Sequence, residues 1–123
     1  MAANHPRNAM CIVCTDHWRS LEFYRDAFNA EIIAGDVGTC PWLLIGDLPI
    51  TLLANTEFPS NLQHSERAMA MLFLQVDDLD AAYDQAVKHG ATPIEPPQSN
   101  GVHFIVADPD GIIIEVVQAN QSD

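Results

Sequence analysis

Basic residues are scarce in this chain. Five Lys and Arg stand against 17 Asp and Glu, a formal charge of −12 over 123 residues. Nucleic acid is therefore not the expected partner, because phosphate backbones reward a basic face. The acidity speaks to solubility and steering, and it is compatible with a cationic small ligand. Long apolar runs are also missing: none approaches the ~18 residues of a membrane span, and no basic segment precedes a hydrophobic stretch. A soluble protein in the cytoplasm is expected. Cysteines number only three, Cys11, Cys14 and Cys40, and an odd count suggests free thiols in a reducing compartment. Cys11 and Cys14 have the spacing of a redox or zinc pair, but they fall in a strand pattern. Residues three apart on a strand point to opposite faces, so these thiols neither pair nor share one metal. No phosphate-binding loop and no G-x-S-x-G elbow occurs, and no histidine neighbours Cys11, so no nucleophile–base pair is evident.

What is present is organised around Asp108-Pro109-Asp110-Gly111 and the run Ile112-Ile113-Ile114-Glu115-Val116-Val117-Gln118. Pro109 pre-sets φ for a turn, and Gly111 supplies the left-handed residue that a hairpin bulge needs. The flanking runs, Val102 to Ala107 and Ile112 to Gln118, are β-branched and predict a hairpin. Glu115 is the anomaly within it. A carboxylate among Ile and Val is costly to bury unpaired, so its face opens into a cleft or holds a partner.

Upstream, Ala9 to Thr15 predicts a strand, Asp16 a helix cap, and Leu21, Tyr24, Ala27 and Phe28 a helix ending at a left-handed Asn29. Strands follow at Glu31 to Ala34, Trp42 to Ile45 and Pro49 to Ala54, with a turn from Gly35 to Pro41. Asn55 to Arg67 is polar and aperiodic, a linker. The pattern then restarts: a strand from Ala70 to Val76, a cap at Asp77 or Asp78, and a helix carrying Leu79, Ala82, Tyr83, Ala86 and Val87 and ending at Gly90. A short strand from Thr92 to Glu95 and the hairpin close the chain. The expected fold is α+β, a βαβββ unit repeated in one domain over residues 1–123, with modules at about 8–58 and 68–119. In this match Thr51 stands opposite Glu115. Only the ends, Met1 to Pro6 and Gln121 to Asp123, are expected to lack order.

Three pieces of sequence resemble one superfamily: Ser20-Leu21-Glu22-Phe23-Tyr24-Arg25-Asp26, Val76-Asp77-Asp78-Leu79-Asp80-Ala81-Ala82, and Asp108-Pro109-Asp110-Gly111 with Glu115. Their order and spacing are similar to those of the vicinal oxygen chelate proteins, which include glyoxalase I, extradiol dioxygenases, fosfomycin-resistance enzymes and bleomycin-resistance proteins. The resemblance spans roughly Asn8 to Ala119 and implies two modules curled around a shared cleft, in a homodimer whose clefts form within one chain or across two. It also implies four metal-ligand positions, which fall here on Ala9, Thr51, Met71 and Glu115. Only Glu115 is a good ligand for a divalent ion. No metal or other cofactor is therefore expected, and the likeness is greatest to the metal-free bleomycin-resistance type, which sequesters a drug.

If those four positions mark the cleft, strand alternation adds Cys11, Val13, Leu53, Phe73, Gln75, Ile113 and Val117. The expected ligand contacts are Cys11, Trp42, Thr51, Met71, Phe73, Gln75 and Glu115, an apolar wall with two polar handles. Val13, Ile113 and Val117 read rather as core filling, and Trp42 reads equally as a stacking platform or as a core or dimer-interface aromatic. The expected partner is a small molecule, with a cationic or aromatic one favoured, and the expected function is sequestration of a toxin or antibiotic. The alternative is a glyoxalase-type lyase or isomerase, or a dioxygenase, on a small oxygenated substrate, with Glu115 and His103 as candidate catalytic groups. The facing of His103 is not fixed by the pattern.

Overall fold

The computed structural model describes residues 8–34, 40–54, 56, 70–98 and 101–119. The elements run β1 (Met10–Cys14), α1 (His17–Phe28), β2 (Glu31–Ala34), β3 (Trp42–Ile45), β4 (Leu48–Ala54), β5 (Leu72–Val76), α2 (Leu79–Lys88), β6 (Thr92–Glu95), β7 (His103–Ala107) and β8 (Ile113–Gln118). They form two four-stranded sheets of matching order, β1-β4-β3-β2 and β5-β8-β7-β6. In each, the first strand runs parallel to the last and the remaining pairs are antiparallel. The α+β repeat expected from the sequence is thus the fold. The expectations of a linker from Asn55 to Arg67 (Thr56 apart), of a turn over Gly35 to Thr39 and of ends that lack order concern residues outside the described ones.

Local chemistry sets the helix limits. Asp16 has extended backbone and its side chain accepts from the N–H groups of Trp18 and Arg19, so α1 begins at His17, four residues before the apolar stripe opens at Leu21. Asn29 ends it in the left-handed region at φ 58°, and Ala30 N–H returns to the Tyr24 carbonyl at 3.0 Å. The cap of α2 is Asp78, which accepts from Ala81 N–H; the other candidate, Asp77, stands outside the helix.

The helices sit against the inner faces of both sheets. From the first sheet Ile12, Cys14, Leu43, Ile50 and Leu52 are buried, and from the second Leu72, Leu74, Phe104, Val106, Ile114 and Val116. With Phe23, Tyr24, Ala27 and Phe28 of α1 and Leu79 and Ala86 of α2, they form one continuous core. Along β1, β3, β4, β5 and β8 buried residues alternate with more exposed ones, so the other face of each sheet is turned away from that core.

The Asp108–Gly111 turn fastens the two modules together. Gly111, at φ 91°, closes the turn through its N–H to the Asp108 carbonyl. The Asp108 side chain is buried and accepts from three donors: Tyr24 Oη at 2.7 Å, Asp110 N at 2.8 Å and Ile112 N at 2.9 Å. Two carboxylate oxygens with three donors are well satisfied in a dry setting, which is how a charge is tolerated there. Beside it, Asp110 accepts from Thr15 Oγ1 at 2.7 Å and from Arg19 Nη2 at 2.9 Å. Gln85 of α2 donates in turn to the Asp26 carbonyl and to Asn29.

Candidate functional site

The expected ligand residues lie on the outward faces of the two sheets. Register fixes their neighbours. On the first sheet Cys11 of β1 stands beside Thr51 of β4, which stands beside Trp42 of β3. On the second, Phe73 of β5 stands beside Glu115 of β8, which stands beside Ile105 of β7. Thr51 and Glu115 therefore occupy equivalent central positions, as the repeat predicts. The next row of the second sheet runs Gln75, Val117, His103. Residues diagonal across adjacent strands are ~7–8 Å apart, so Gln75 and His103 both flank Glu115.

The facing of His103 is settled by this register: it lies on the outward face. Its Nε2 is 3.4 Å from Glu95 Oε2. Glu95 in turn pairs with Ile105, placing a second carboxylate in the Glu115 row. The sequence reading missed Glu95, whose position the irregular β6–β7 pairing after Pro93 hides, and Ile105, which shares a face with His103 and so shared its open facing. Met71 stands just before β5, more than a third exposed, and Phe73 is 56% exposed. Val13, Ile113 and Val117 are half-buried on the outward faces, so the core reading does not hold for them.

Glu115 is half-buried among Phe73, Ile105, Ile113 and Val117. Among the described residues it has no hydrogen-bond or ion-pair partner. The buried carboxylate of the motif is Asp108 instead. Of the two explanations for an acid in an apolar strand, an open face is thus the one realised.

The four positions that the resemblance marks for a metal do not suit one. Ala9 has no ligating atom and Met71 offers only a thioether. The Thr51 hydroxyl donates to the Pro41 carbonyl at 2.9 Å, and a neutral hydroxyl is a poor ligand for a divalent ion. Among the described residues no group of three or more His, Cys, Asp or Glu is arranged to hold a metal. His17 is engaged elsewhere: its Nε2 accepts from Ala54 N–H at 3.0 Å, tying α1 to the end of β4.

The thiols behave as their faces dictate. Cys11 is exposed on the outward face, and Cys14 is buried on the inner one, donating to the Leu53 carbonyl at 3.6 Å. Partial burial, and then the neighbouring Cys40, push the Cys11 thiol above its ordinary pKa. Less thiolate is present near neutrality than for a free cysteine, so Cys11 should alkylate slowly at pH 7 and accelerate well into the alkaline range. Rates measured by mass spectrometry after iodoacetamide pulses from pH 7 to pH 10 check this. A Cys11 that labels as fast as free cysteine at pH 7 would contradict it.

A cavity of about 710 Å³ lies along the seam between the modules, bounded by Phe28, Asp47, Leu48, Phe73, Val76 and Gln85. It reaches the outward face only at Phe73 and Gln75 and does not include Glu115. No helix among the described residues is long and apolar enough to cross a membrane.

Similar folds are known. The structure is similar to a glyoxalase/bleomycin resistance protein/dioxygenase family enzyme from Burkholderia phytofirmans PsJN, with TM-score 0.77 and 18% identity over 91% of this chain and 97% of that one. It is similar to lactoylglutathione lyase from Agrobacterium tumefaciens, with TM-score 0.64 and 19% identity over 94% and 96%. It is also similar to the fosfomycin resistance protein FosX from Mesorhizobium loti, with TM-score 0.65 and 18% identity over 97% and 96%. No curated protein sequence matches the chain. Residues 4–116 match the profile of one superfamily, and with the doubled βαβββ order, the chain belongs to the glyoxalase/bleomycin resistance protein/dioxygenase superfamily.

Proposed function

We propose that this protein is a small-molecule-binding protein that holds a cationic or aromatic ligand on its outward sheet faces without a metal, sequestering a toxin or antibiotic in the cytoplasm. The observation that carries this reading is Glu115: a half-buried carboxylate in an apolar wall, with no partner of its own among the described residues and with Gln75 beside it. Such an acceptor favours an ammonium or guanidinium group, and Phe73 and Trp42 offer planar surfaces. The superfamily includes proteins of drug resistance, to which the poor ligands Ala9, Thr51 and Met71 bring this chain nearer than to the metal enzymes.

Thermal-shift screening against cationic aromatic antibiotics, bleomycin among them, tests the reading, since a ligand of the native state raises Tm. For any hit, Glu115→Gln should weaken binding about ten- to a hundredfold, the worth of a charge-assisted contact of roughly 1.5–3 kcal/mol. The unliganded variant should be as stable as the parent, because no internal bond is lost. Unchanged affinity together with lost stability would make Glu115 structural. Stoichiometric zinc, nickel, iron or manganese in protein purified without a metal-affinity tag would overturn the metal-free reading.

One observation favours a second reading, a lyase or isomerase of the glyoxalase type. His103, 3.4 Å from Glu95 and diagonal to Glu115, puts an imidazole beside two carboxylates on the same face, the side-chain types that general acid–base chemistry uses. Turnover of a small α-oxygenated substrate that is abolished in His103→Gln would establish it.

A further inference from the structure

The cavity on the seam between the modules has a lining of its own. Its apolar wall comes from both halves, Phe28 and Leu48 from the first and Leu74, Val76 and Ala82 from the second. Its volume of about 710 Å³ lies within the ~300–1,000 Å³ of small-molecule pockets. Three carboxylic residues also line it, Asp47 from the first module and Asp77 and Asp78 from the second. Gly46, at φ 60°, opens the two-residue turn between β3 and β4, and Asp47 is the second residue of that turn. Asp78 is occupied as the cap of α2, and Asp77 accepts from Gln118 only through its backbone carbonyl. The side chains of Asp47 and Asp77 have no hydrogen-bond or ion-pair partner among the described residues.

Everything polar here has one sign. No Lys, Arg or His is among the described residues that line the cavity. The α2 amides that would suit an anion are already used: Leu79 N–H donates to Gln118 Oε1 and Ala81 N–H to Asp78 Oδ1, each at 3.1 Å. From the other side α1 presents its C-terminal end, Ala27, Phe28 and Asn29, where the helix dipole is negative. The acids are not gathered as a metal site would need, since among the described residues no group of three is so arranged.

We infer that the seam cavity is a second binding site, separate from the Glu115 face, for an organic cation: a flat hydrocarbon body bearing a protonated amine. The body displaces water from Phe28, Leu48, Leu74 and Val76, and the amine sits at the rim between Asp47 and Asp77. A cation there relieves the repulsion between acids contributed by the two modules. Because it touches both modules at once, the ligand also braces the seam. Asp47 and Asp77 are exposed, so their pull on a cation weakens as salt is added. The cavity excludes Glu115, and this inference therefore does not rest on the functional reading above.

Aminomethylanthracene, hydroxymethylanthracene and anthracenecarboxylate share one flat fluorescent body and differ in charge near neutrality. Fluorescence anisotropy titrations of each into the wild-type protein and into Glu115→Gln test the site. In both proteins the amine should bind about tenfold tighter than the alcohol or the carboxylate at low salt, and the gap should shrink in about 0.5 M salt. In the Glu115→Gln background, Asp47→Asn and Asp77→Asn should each weaken the amine about threefold, and together about tenfold, with the alcohol unchanged. Ala81→Trp, at an exposed helix position that lines the cavity, should fill the space and abolish binding of all three probes. Every substituted position is exposed, so folding should persist by circular dichroism. Equal affinities for the three probes would overturn the inference. So would an amine indifferent to the paired Asp47 and Asp77 changes, or binding that survives Ala81→Trp. Amine binding abolished by Glu115→Gln alone would place the cation on the outward face, which overturns this inference and leaves the functional reading standing.

Discussion

Replacing Asp108 with alanine is expected to lower the unfolding free energy by about 3–5 kcal/mol, a large share of what holds a small domain together. Its carboxylate accepts three hydrogen bonds in a buried position, from Tyr24 Oη and from the amides of Asp110 and Ile112. Bonds to a charged acceptor are worth roughly 1.5–3 kcal/mol each, and the sum is reduced because the turn relaxes once they are gone. The loss falls on two levels: the hairpin turn opens, and the α1–turn clasp between the modules is cut. Tyr24→Phe removes only the clasp and should cost less. The same contact sets an alkaline limit. Burial, followed by the charge of Asp108 and its hydrogen bond, raises the Tyr24 phenol far above its ordinary pKa. A group raised in the folded state contributes stability in full below its unfolded pKa of ~10 and loses it as pH climbs beyond. Parent stability should therefore decline above about pH 10, and less steeply in Tyr24→Phe. Urea unfolding of the three proteins checks both points; a cost below about 1 kcal/mol for Asp108→Ala would show that the clasp is not structural.

The second large effect separates the faces of one sheet. Phe104→Ala should cost ~3–5 kcal/mol, whereas Phe73→Ala should cost under ~1 kcal/mol in the isolated chain. Phe104 is fully buried on β7 and meets Tyr83 of α2 edge-on at 5.1 Å, so its removal leaves a cavity that neighbours fill only in part. Phe73 is on the outward face, and its removal loses little that the single chain has buried. If β5 lies against a second copy, the Phe73→Ala loss will grow with protein concentration, because dimerisation then contributes to apparent stability. The Phe104→Ala loss will not. Unfolding curves at two concentrations resolve the two cases, and comparable losses for both variants would contradict the assigned facing.

Most of the architecture was legible because it is written in local rules. Alternation placed Ile12 and Cys14 on one face of β1 and Cys11 and Val13 on the other, and the structure keeps that division. Asp16, Asn29 and Gly111 marked a cap, a left-handed end and a turn through chemistry confined to a few neighbouring residues. Repetition of the element order set Thr51 against Glu115, because each lies on the last strand of its module, paired with the second residue of the module's first strand. The choice between Asp77 and Asp78 could not be made so, since either side chain can reach an α2 amide and only the backbone path decides.

Tertiary structure decided what spacing cannot encode. It showed that the motif's buried acid is Asp108 rather than Glu115, because burial depends on Tyr24, a residue 84 positions away. His103 is turned outward beside Glu95 through a register that the irregularity between Pro93 and Glu95 shifts. Most of all, it showed that the modules meet through their helices, with α1 and α2 inside one core and the two candidate faces turned away from it. The sequence by itself determined which residues share each face, since strand alternation is a property of the backbone. Which faces look at each other is a property of packing: burying Phe23, Tyr24 and Phe28 on all sides excludes an arrangement in which the helices lie outermost.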